Sequence, residues 1–305
     1  MERQYTLQAA VSFSGRGLHT GEHAQLEIFP AADNHGFQFQ RTDLKDKPVI
    51  PAHLDGVTGT ARGTSLSYQG VEIHTVEHIL AALVSLGIDN ALIGVSGPEI
   101  PILDGSAREF VQQLQAVGRQ AQQAEKTFAQ VQEGLEFHDP QKDATYRISP
   151  ADSFSIDTHI DFGNKSLGRQ SAHLASLQSF PEEIAPARTF CFFHEIEHLR
   201  AANLIKGGSL KSALVFLDEV PTLAHREKFA QLFPGEKVEW AEGVLNKGGL
   251  RYSNEPARHK LLDVIGDLAL LGKPLAFHVE ATKPGHASNV ALARFLSDKI
   301  SPPKR

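Results

Sequence analysis

One stretch organises the sequence, His74-Thr75-Val76-Glu77-His78-Ile79-Leu80, and it opens an apolar run that continues to Gly87. Apolar residues recur in this run at helical spacing, and glycine is a common C-terminal stop. The pattern therefore predicts a helix that is capped by Thr75 and ends at Gly87.

The first turn of this helix carries the polar groups. Exposed N–H groups at a helix N-terminus favour negative charge, which helps to keep Glu77 ionised, as a general base requires. Glu77 and His78 point about 100° apart on a helix, so one can bind a metal while the other faces a metal-bound water. The alternative is an ordinary capped helix with both side chains on its wet side.

A second helix, from about Pro256 to Leu271, also begins with polar residues. His259, Asp263 and Asp267 are four residues apart, so they lie along one face. A histidine and an aspartate one turn apart can bind one ion, and with His78 they supply the three ligands and open position of a catalytic zinc site. The alternative is a His–Asp pair that only stabilises its own helix.

His286 lies at the tip of a loop, Thr282-Lys283-Pro284-Gly285-His286, after the last predicted strand. Asp267 is placed to orient and charge this imidazole, which would make His286 a general acid for a leaving group. Taken alone, such a residue is more often an ordinary surface histidine.

The two halves of the chain follow one order, in which a helix ends in Leu-Gly, an apolar strand follows and a glycine opens the next helix. His78 lies nine residues before Gly87, and Asp263 lies nine residues before Gly272. The two residues would therefore occupy equivalent places on equivalent helices. This favours an internally duplicated α/β protein, although two such units can also look alike by chance.

Composition narrows the function classes. The 305 residues are 41% hydrophobic, which suits two domains of ordinary size and excludes a disordered chain. The net charge of −6 gives no support for nucleic-acid binding. The single cysteine, Cys191, cannot form an internal disulfide, and the N-terminus has no secretory apolar core, so we expect a cytoplasmic protein. No apolar run reaches the roughly 18 residues of a membrane span, so we expect no transmembrane segment.

Two protease signatures also occur. Residues 74–78 match the inverted zinc-protease pattern HxxEH, and residues 194–198 match HExxH. A Thr75 cap would leave His74 outside the first helix, and apolar spacing around Ile196 indicates a plain packing helix. A zinc metallopeptidase therefore remains only as an alternative. The phenylalanines in Ala187-Arg188-Thr189-Phe190-Cys191-Phe192-Phe193 form either a satellite core or the wall of an apolar groove.

Over nearly its whole length the sequence resembles the UDP-3-O-acyl-N-acetylglucosamine deacetylases, which perform the committed step of lipid A synthesis in Gram-negative bacteria. The resemblance rests on the motifs GLHTG (17–21), TVEHILAAL (75–83), LGIDN (86–90), PEIPILDGSA (98–107), ARTF (187–190), GGS (207–209), RHKLLDVIGDL (258–268) and GHA (285–287). It implies an α/β (α+β) fold of two similar domains, each a sheet with paired helices, with the helices sandwiched between the two sheets.

The resemblance also implies one small insert in each domain. We expect domain I at 1–120 with its insert near 51–72, a linker at 119–127, domain II at 128–300 with its insert near 190–218, an extra stretch at 219–253 and a disordered tail at 301–305. The second insert would form a hydrophobic passage for an acyl chain.

The resemblance assigns roles to residues discussed above and to several further residues. The resemblance implies zinc ligands at His78, His259 and Asp263, a general base at Glu77, and a catalytic histidine at His286 with Asp267 as its partner. It further implies a carbonyl-polarising Thr189, an active-site Lys260, and contacts to the acyl passage and sugar site from Phe190, Phe192 and Gly208. No lysine is found near Ser149, where some relatives carry one for phosphate, so the UDP contacts stay open.

The implied activity is zinc-dependent hydrolysis of the N-acetyl group of UDP-3-O-[(R)-3-hydroxyacyl]-N-acetylglucosamine, which gives acetate and the free glucosamine. Ferrous iron is the alternative ion, because a His2Asp site accepts both. We expect a monomer that takes this small-molecule substrate. Some relatives are fused to a hydroxyacyl-carrier-protein dehydratase, and this chain would then be a truncation. A non-catalytic protein that binds sugar nucleotides or acyl chains is the alternative from another class.

Overall fold

The computed structural model describes residues 2–217, 222–232, 235 and 243–300. The expected tail at 301–305 and parts of the extra stretch at 219–253 lie outside the described residues. Within the described part, no helix combines the length and the apolar character that crossing a bilayer requires.

The first half of the chain is mostly strands, with two α-helices between them. In chain order its elements are β1 (Arg3–Leu7), β2 (Val11–Arg16), β3 (His23–Pro30), β4 (Phe37–Arg41), β5 (Val49–Pro51), β6 (Val57–Gly59), β7 (Ser65–Tyr68), β8 (Val71–Ile73), α1 (Glu77–Ser85), β9 (Ala91–Val95), α2 (Arg108–Val117) and β10 (Arg119–Glu125).

The second half has the same succession of strands followed by helices. Its described elements are β11 (Ala129–Gln130), β12 (Leu135–Asp139), β13 (Ala144–Pro150), β14 (Ser155–Asp161), β15 (Arg169–Leu174), α3 (Phe180–Glu183), β16 (Phe190–Phe192), α4 (Ile196–Ala201), β17 (Leu214–Phe216), α5 (Leu223–Leu232), α6 (Glu255–Leu268), β18 (Leu275–Thr282) and α7 (His286–Ser297).

The two main sheets share one topology. The strand order is β2-β3-β9-β4-β5 in the first and β12-β13-β18-β14-β15 in the second, with β11 also paired to β18. In each sheet the central strand, β9 or β18, is antiparallel to one neighbour and parallel to the other. This match confirms the prediction of two similar α/β halves.

Each sheet buries one face. In β3 the side chains of Ala24, Leu26 and Ile28 are buried and their neighbours are more exposed, which is the period of two expected for a strand with one solvated face. Helices α1 and α6 are buried along almost their whole length and pack against each other. A helix buried on every side lies between layers, and this confirms the prediction of helices sandwiched between the sheets.

Thr75 does not cap the first helix, so that prediction is wrong. Helix α1 begins at Glu77, and the capping residue Val76 makes no side-chain hydrogen bond to it. Thr75 instead has a φ of 60°, and its hydroxyl donates a hydrogen bond of 2.9 Å to Glu99. Glu99 lies 24 residues after Thr75. Capping preferences consider only residues next to the helix start, so they do not predict this contact.

The regions expected as inserts and linker contain regular structure. Strands β6, β7 and β8 form a small antiparallel sheet within the first expected insert, and the second contains the parallel pair β16–β17 with α4 between them in sequence. The expected linker at 119–127 contains β10, which pairs with β1 at the start of the chain. Helix α5 lies in the extra stretch.

Candidate functional site

A buried cluster joins the two halves of the molecule. His78 on α1 and His259 and Asp263 on α6 each offer one ligand atom, and these atoms all lie within 4.8 Å of one another. Nε2 of His259 lies 3.4 Å, and Nε2 of His78 lies 4.0 Å, from Oδ1 of Asp263. Each residue is at most 3% exposed. The cluster therefore has the donor set, burial and spacing that suit a metal ion.

Neighbouring groups orient these ligands. The Nδ1–H of His259 donates to the main-chain oxygen of Ala187 at 3.0 Å, which leaves Nε2 with the lone pair that a metal needs. Lys260 donates to Oδ2 of Asp263 at 2.8 Å. Among the described residues, Oδ1 of Asp263, the oxygen that faces Nε2 of both histidines, is buried without a hydrogen-bond partner. A buried carboxylate oxygen without a partner is costly, so it fits a bound metal.

The charge states also suit metal binding. Burial, together with the neighbouring His259, lowers the pKa of His78 to about 3, so its ring is neutral at physiological pH. Burial acts to raise the pKa of Asp263, but Lys260 and the nearby imidazoles outweigh it and hold that pKa below its usual range. Neutral imidazoles and an ionised carboxylate are the forms in which these side chains bind metals.

Glu77 lies next to the cluster in the first turn of α1. It is 2% exposed, and its Oε2 accepts a hydrogen bond of 3.0 Å from the main-chain N–H of Thr64. Burial raises the pKa of Glu77 to about 7, with Asp267 also raising it and His286 opposing them. A carboxylate whose pKa lies near neutrality is well matched to taking and returning a proton.

His286 begins α7 and forms an ion pair with Asp267. Its Nδ1 lies 3.0 Å from Oδ2 of Asp267, and its Nε2 lies 3.8 Å from Oδ2 of Asp263. Burial acts to lower the pKa of His286, but the carboxylates of Asp267 and Asp263 outweigh it and raise the pKa to about 9. His286 is therefore an imidazolium at neutral pH, with Nδ1 held by Asp267 and Nε2 directed toward the cluster.

A narrow cleft is lined by Thr189, Phe190 and Gly208. Its other walls are mainly apolar and include Leu18, Ile196, Leu199, Ile205 and Val215. Lys260 lies between the cleft and the cluster, because its Nζ donates a hydrogen bond to Asp263 and lies 5.8 Å from the centre of the Phe190 ring. The cleft has a volume of about 60 Å³, so in this conformation it has room for only a short apolar segment.

Two contacts hold Thr189 in place. Its main-chain N–H donates to the main-chain oxygen of Gly105 at 2.8 Å, and its main-chain carbonyl oxygen accepts from the N–H of Leu214 at 2.8 Å. Gly105 has a φ of 81°, and a Cβ atom there would lie 2.0 Å from the main-chain oxygen of Ser212. A glycine is therefore required at this position, in the motif PEIPILDGSA, for the chain to pass so close to the main chain of Ser212.

A buried ion pair supports the adjacent residue. Arg188 donates from Nε at 2.7 Å and from Nη2 at 3.1 Å to Glu255, which is fully buried at the start of α6. Glu255 also accepts main-chain N–H bonds from Arg188 and Arg251. The pair therefore ties the segment that carries Thr189 to the helix that carries His259.

Some residues singled out in the sequence lie outside the cleft and the metal-ligand cluster. Phe192 does not line the cleft; it packs behind it, with its ring centre 6.3 Å from that of Phe190. His74 lies outside the metal cluster and shares a hydrogen bond of 2.9 Å with Ser65. Nor do residues 194–198 form a metal-binding group within the described part of the chain. Neither protease pattern therefore corresponds to a cluster of ligands.

Sequence reasoning missed Thr64 and Asn289. Both are fully buried, and both donate hydrogen bonds to Asp267, at 2.6 Å and 2.8 Å. Thr64 lies in the polar stretch expected as an insert, and no local pattern distinguishes it there. Asn289 lies one turn after His286 on α7, so its spacing from His286 was a signal that a search along that helix would have found.

These features together define a class of protein. Three buried side chains that could hold a metal ion, a nearby carboxylate and a charged imidazole form a site typical of hydrolases. The sequence matches the family described as UDP-3-O-acyl N-acetylglycosamine deacetylase over residues 4–231 and 238–298. The chain belongs to this family.

Several known proteins are similar in sequence to this chain over most of its length. A UDP-3-O-acyl-N-acetylglucosamine deacetylase of Anaeromyxobacter sp. is 42% identical over 292 residues, which cover 95% of this chain and 87% of the relative. The corresponding protein of Shewanella woodyi is 41% identical over 96% of this chain and 89% of its own length. The bifunctional enzyme LpxC/FabZ of Bacteroides thetaiotaomicron is 44% identical over 98% of this chain, which spans 65% of that protein.

Proposed function

We propose that the chain catalyses zinc-dependent hydrolysis of the N-acetyl group of UDP-3-O-[(R)-3-hydroxyacyl]-N-acetylglucosamine. The products are acetate and UDP-3-O-acyl-glucosamine, in the committed step of lipid A synthesis. The observation that carries this proposal is the buried cluster of His78, His259 and Asp263 between Glu77 and His286, in a member of the deacetylase family. The names of the relatives at about 40% identity support the choice of substrate.

His78, His259 and Asp263 would hold the metal. Bound there, zinc supplies Lewis acidity toward the amide carbonyl and makes a water molecule more acidic. The neutral imidazoles and ionised carboxylate need no proton loss before the ion binds. Lys260 neutralises Asp263 from one side and lies beside the Phe190 ring, where a negatively charged substrate would meet it.

Glu77 acts as the general base and takes a proton from the attacking water. Its carboxylate is held in one orientation because the N–H of Thr64 donates to Oε2. Its pKa of about 7 allows it to accept a proton in one step and release it in the next.

His286 acts as the general acid for the departing amine. Its pKa of about 9 keeps it protonated at neutral pH, and Asp267 holds Nδ1, so the proton on Nε2 is the one available for transfer. The same positive charge stabilises negative charge that develops on the carbonyl oxygen, and the Thr189 hydroxyl donates to that oxygen.

The cleft lined by Phe190 and Gly208 takes part of the acyl chain. Its apolar walls remove the chain from water, which favours binding in proportion to the area buried. Phe192 supports the Phe190 wall from behind and contributes indirectly to the shape of the cleft.

Acetate release from UDP-3-O-acyl-N-acetylglucosamine tests the proposal. We expect release by the zinc-loaded protein, loss of release after a chelator removes the metal, and recovery when zinc is restored. Zinc bound without acetate release would support a non-catalytic binding protein. Cleavage of peptides instead of the sugar amide would support a metallopeptidase. A parallel series with ferrous iron distinguishes the two candidate ions by turnover per metal bound.

The organisation of the native protein is part of the proposal. We infer two units at about 1–120 and 128–300, a cytoplasmic location and a monomeric catalytic unit. Relatives named as bifunctional LpxC/FabZ enzymes support a fusion to a hydroxyacyl-carrier-protein dehydratase. Sequencing of the complete gene and the mass of the native protein test the fusion.

A further inference from the structure

We propose that Thr64 is a positioning residue that couples the general base to the general acid; the inference rests on the function proposed above. Thr64 is fully buried. It contacts both catalytic groups, since its N–H donates to Oε2 of Glu77 at 3.0 Å and its Oγ1 lies 3.5 Å from Nδ1 of His286. Its hydroxyl donates to Oδ1 of Asp267 at 2.6 Å.

The hydroxyl of Thr64 completes the hydrogen bonding of Asp267. Oδ2 of this carboxylate accepts from Asn289 at 2.8 Å and binds His286 at 3.0 Å, while Oδ1 accepts from Thr64. The Asn289 amide is itself fixed by Tyr146, whose hydroxyl donates to its oxygen at 2.6 Å. With donors on both oxygens, the plane of the carboxylate is set, and the plane of the His286 ring follows from it.

The main chain of Thr64 fixes the other side of the site. Its carbonyl accepts a hydrogen bond of 3.2 Å from Val76, immediately before α1, and its N–H holds Glu77 in the first turn of α1. The preceding residue, Gly63, passes close enough that a Cβ atom there would lie 3.2 Å from Oε1 of Glu77. Thr64 is thus fastened to α1 by its main chain and to α6 by its hydroxyl.

The consequence is a fixed separation between base and acid. Glu77 belongs to the first half of the chain, whereas Asp267 and His286 belong to the second. Thr64 joins them through one residue, so loss of its hydroxyl would release Oδ1 of Asp267 and let the imidazole turn away from its working orientation. Catalysis depends steeply on such orientation.

Thr64→Val tests this inference, because it removes the hydroxyl and keeps the size and the main-chain contacts. We expect kcat to fall about 10- to 100-fold, the usual cost of losing a hydrogen-bond partner of a site residue, with KM and zinc content unchanged. Thr64→Ser keeps the hydroxyl and should restore most of kcat. Thr6→Val is the matched control, since Thr6 is also buried and its hydroxyl donates to Asn90 far along the chain.

Three results would overturn the inference. They are a Thr64→Val enzyme with wild-type kcat, a Thr64→Ser enzyme as slow as Thr64→Val, and a Thr6→Val enzyme with the same loss. Thermal unfolding of each variant shows whether it is folded. Thr64→Ala is measured beside Thr64→Val in case the valine variant does not fold.

A second measurement separates this inference from the proposed function. If the wild-type protein releases no acetate, the proposed function fails, and NMR of the zinc-loaded protein still decides the role of Thr64. The Nδ1–H signal of His286 should shift in Thr64→Val and stay near its wild-type position in Thr64→Ser and Thr6→Val. An unchanged signal in Thr64→Val would show that the hydroxyl does not position the ring.

Discussion

Gly266 on α6 lies against the main-chain carbonyl of Glu77 on α1, so close that a Cβ atom on Gly266 would lie 2.1 Å from that oxygen. No side chain fits there, and only glycine allows the two helices to approach to this distance. The contact brings α1 to the face of α6 that carries Asp263 and His259. A hydrogen atom in place of a side chain is thus what lets His78 lie beside His259 and Asp263.

Gly266→Ala should separate the two helices. We expect a loss of about 1–3 kcal/mol in the free energy of unfolding, the usual cost of overpacking a core, together with weaker zinc binding. Urea unfolding and metal analysis measure the two effects. Gly134→Ala is the control, because a Cβ atom there would come no closer than 3.9 Å to another atom. Equal stability and zinc content in Gly266→Ala and the wild type would contradict the argument.

His286→Ala should remove the proposed general acid and leave the proposed metal ligands in place. We expect turnover to fall about 10²- to 10⁴-fold, the range typical of general acid–base catalysis, while zinc per chain stays constant. His173→Ala is a matched control, since His173 also contacts a carboxylate, Asp157 at 2.7 Å, but is exposed on the sheet surface. Near-wild-type acetate release by His286→Ala would rule out a catalytic role.

Metal content should distinguish the two histidines of the opening stretch. His78 lies in the ligand cluster, whereas His74 bonds Ser65 outside it. We expect His78→Ala to lose zinc and His74→Ala to retain it, as measured by metal analysis after gel filtration. Loss of zinc in His74→Ala would instead support the inverted protease geometry.

Arg188→Met should destabilise the protein through its buried partner. Glu255 is fully buried and would lose the guanidinium that pairs with it, and removing one partner of a buried ion pair typically costs about 3–5 kcal/mol. Chemical unfolding measures this loss. Arg169→Met breaks the exposed pair with Asp161 and should change stability little, because solvent already screens both charges. Equal effects of the two substitutions would mean that burial of Glu255 does not matter.

Local spacing by itself determined which helix residues share a face. Residues four apart lie on one helical face whatever surrounds the helix, so the positions of His259, Asp263 and Asp267 on α6 could be predicted without a structure. The repeated succession of helix, glycine and apolar strand likewise predicted two similar halves, because the period of a buried strand and the end of a helix are local properties.

Contacts between distant parts of the chain decided which residues lie next to each other around those helices. Thr75 is turned toward Glu99, β10 pairs with β1, and Thr64 reaches Asp267 across more than half of the sequence. Each of these contacts joins residues that no local pattern relates, and each is fixed only when distant parts of the chain pack together. The sequence therefore indicated the candidate side chains, and the packing of α1 on α6 decided which of them lie together.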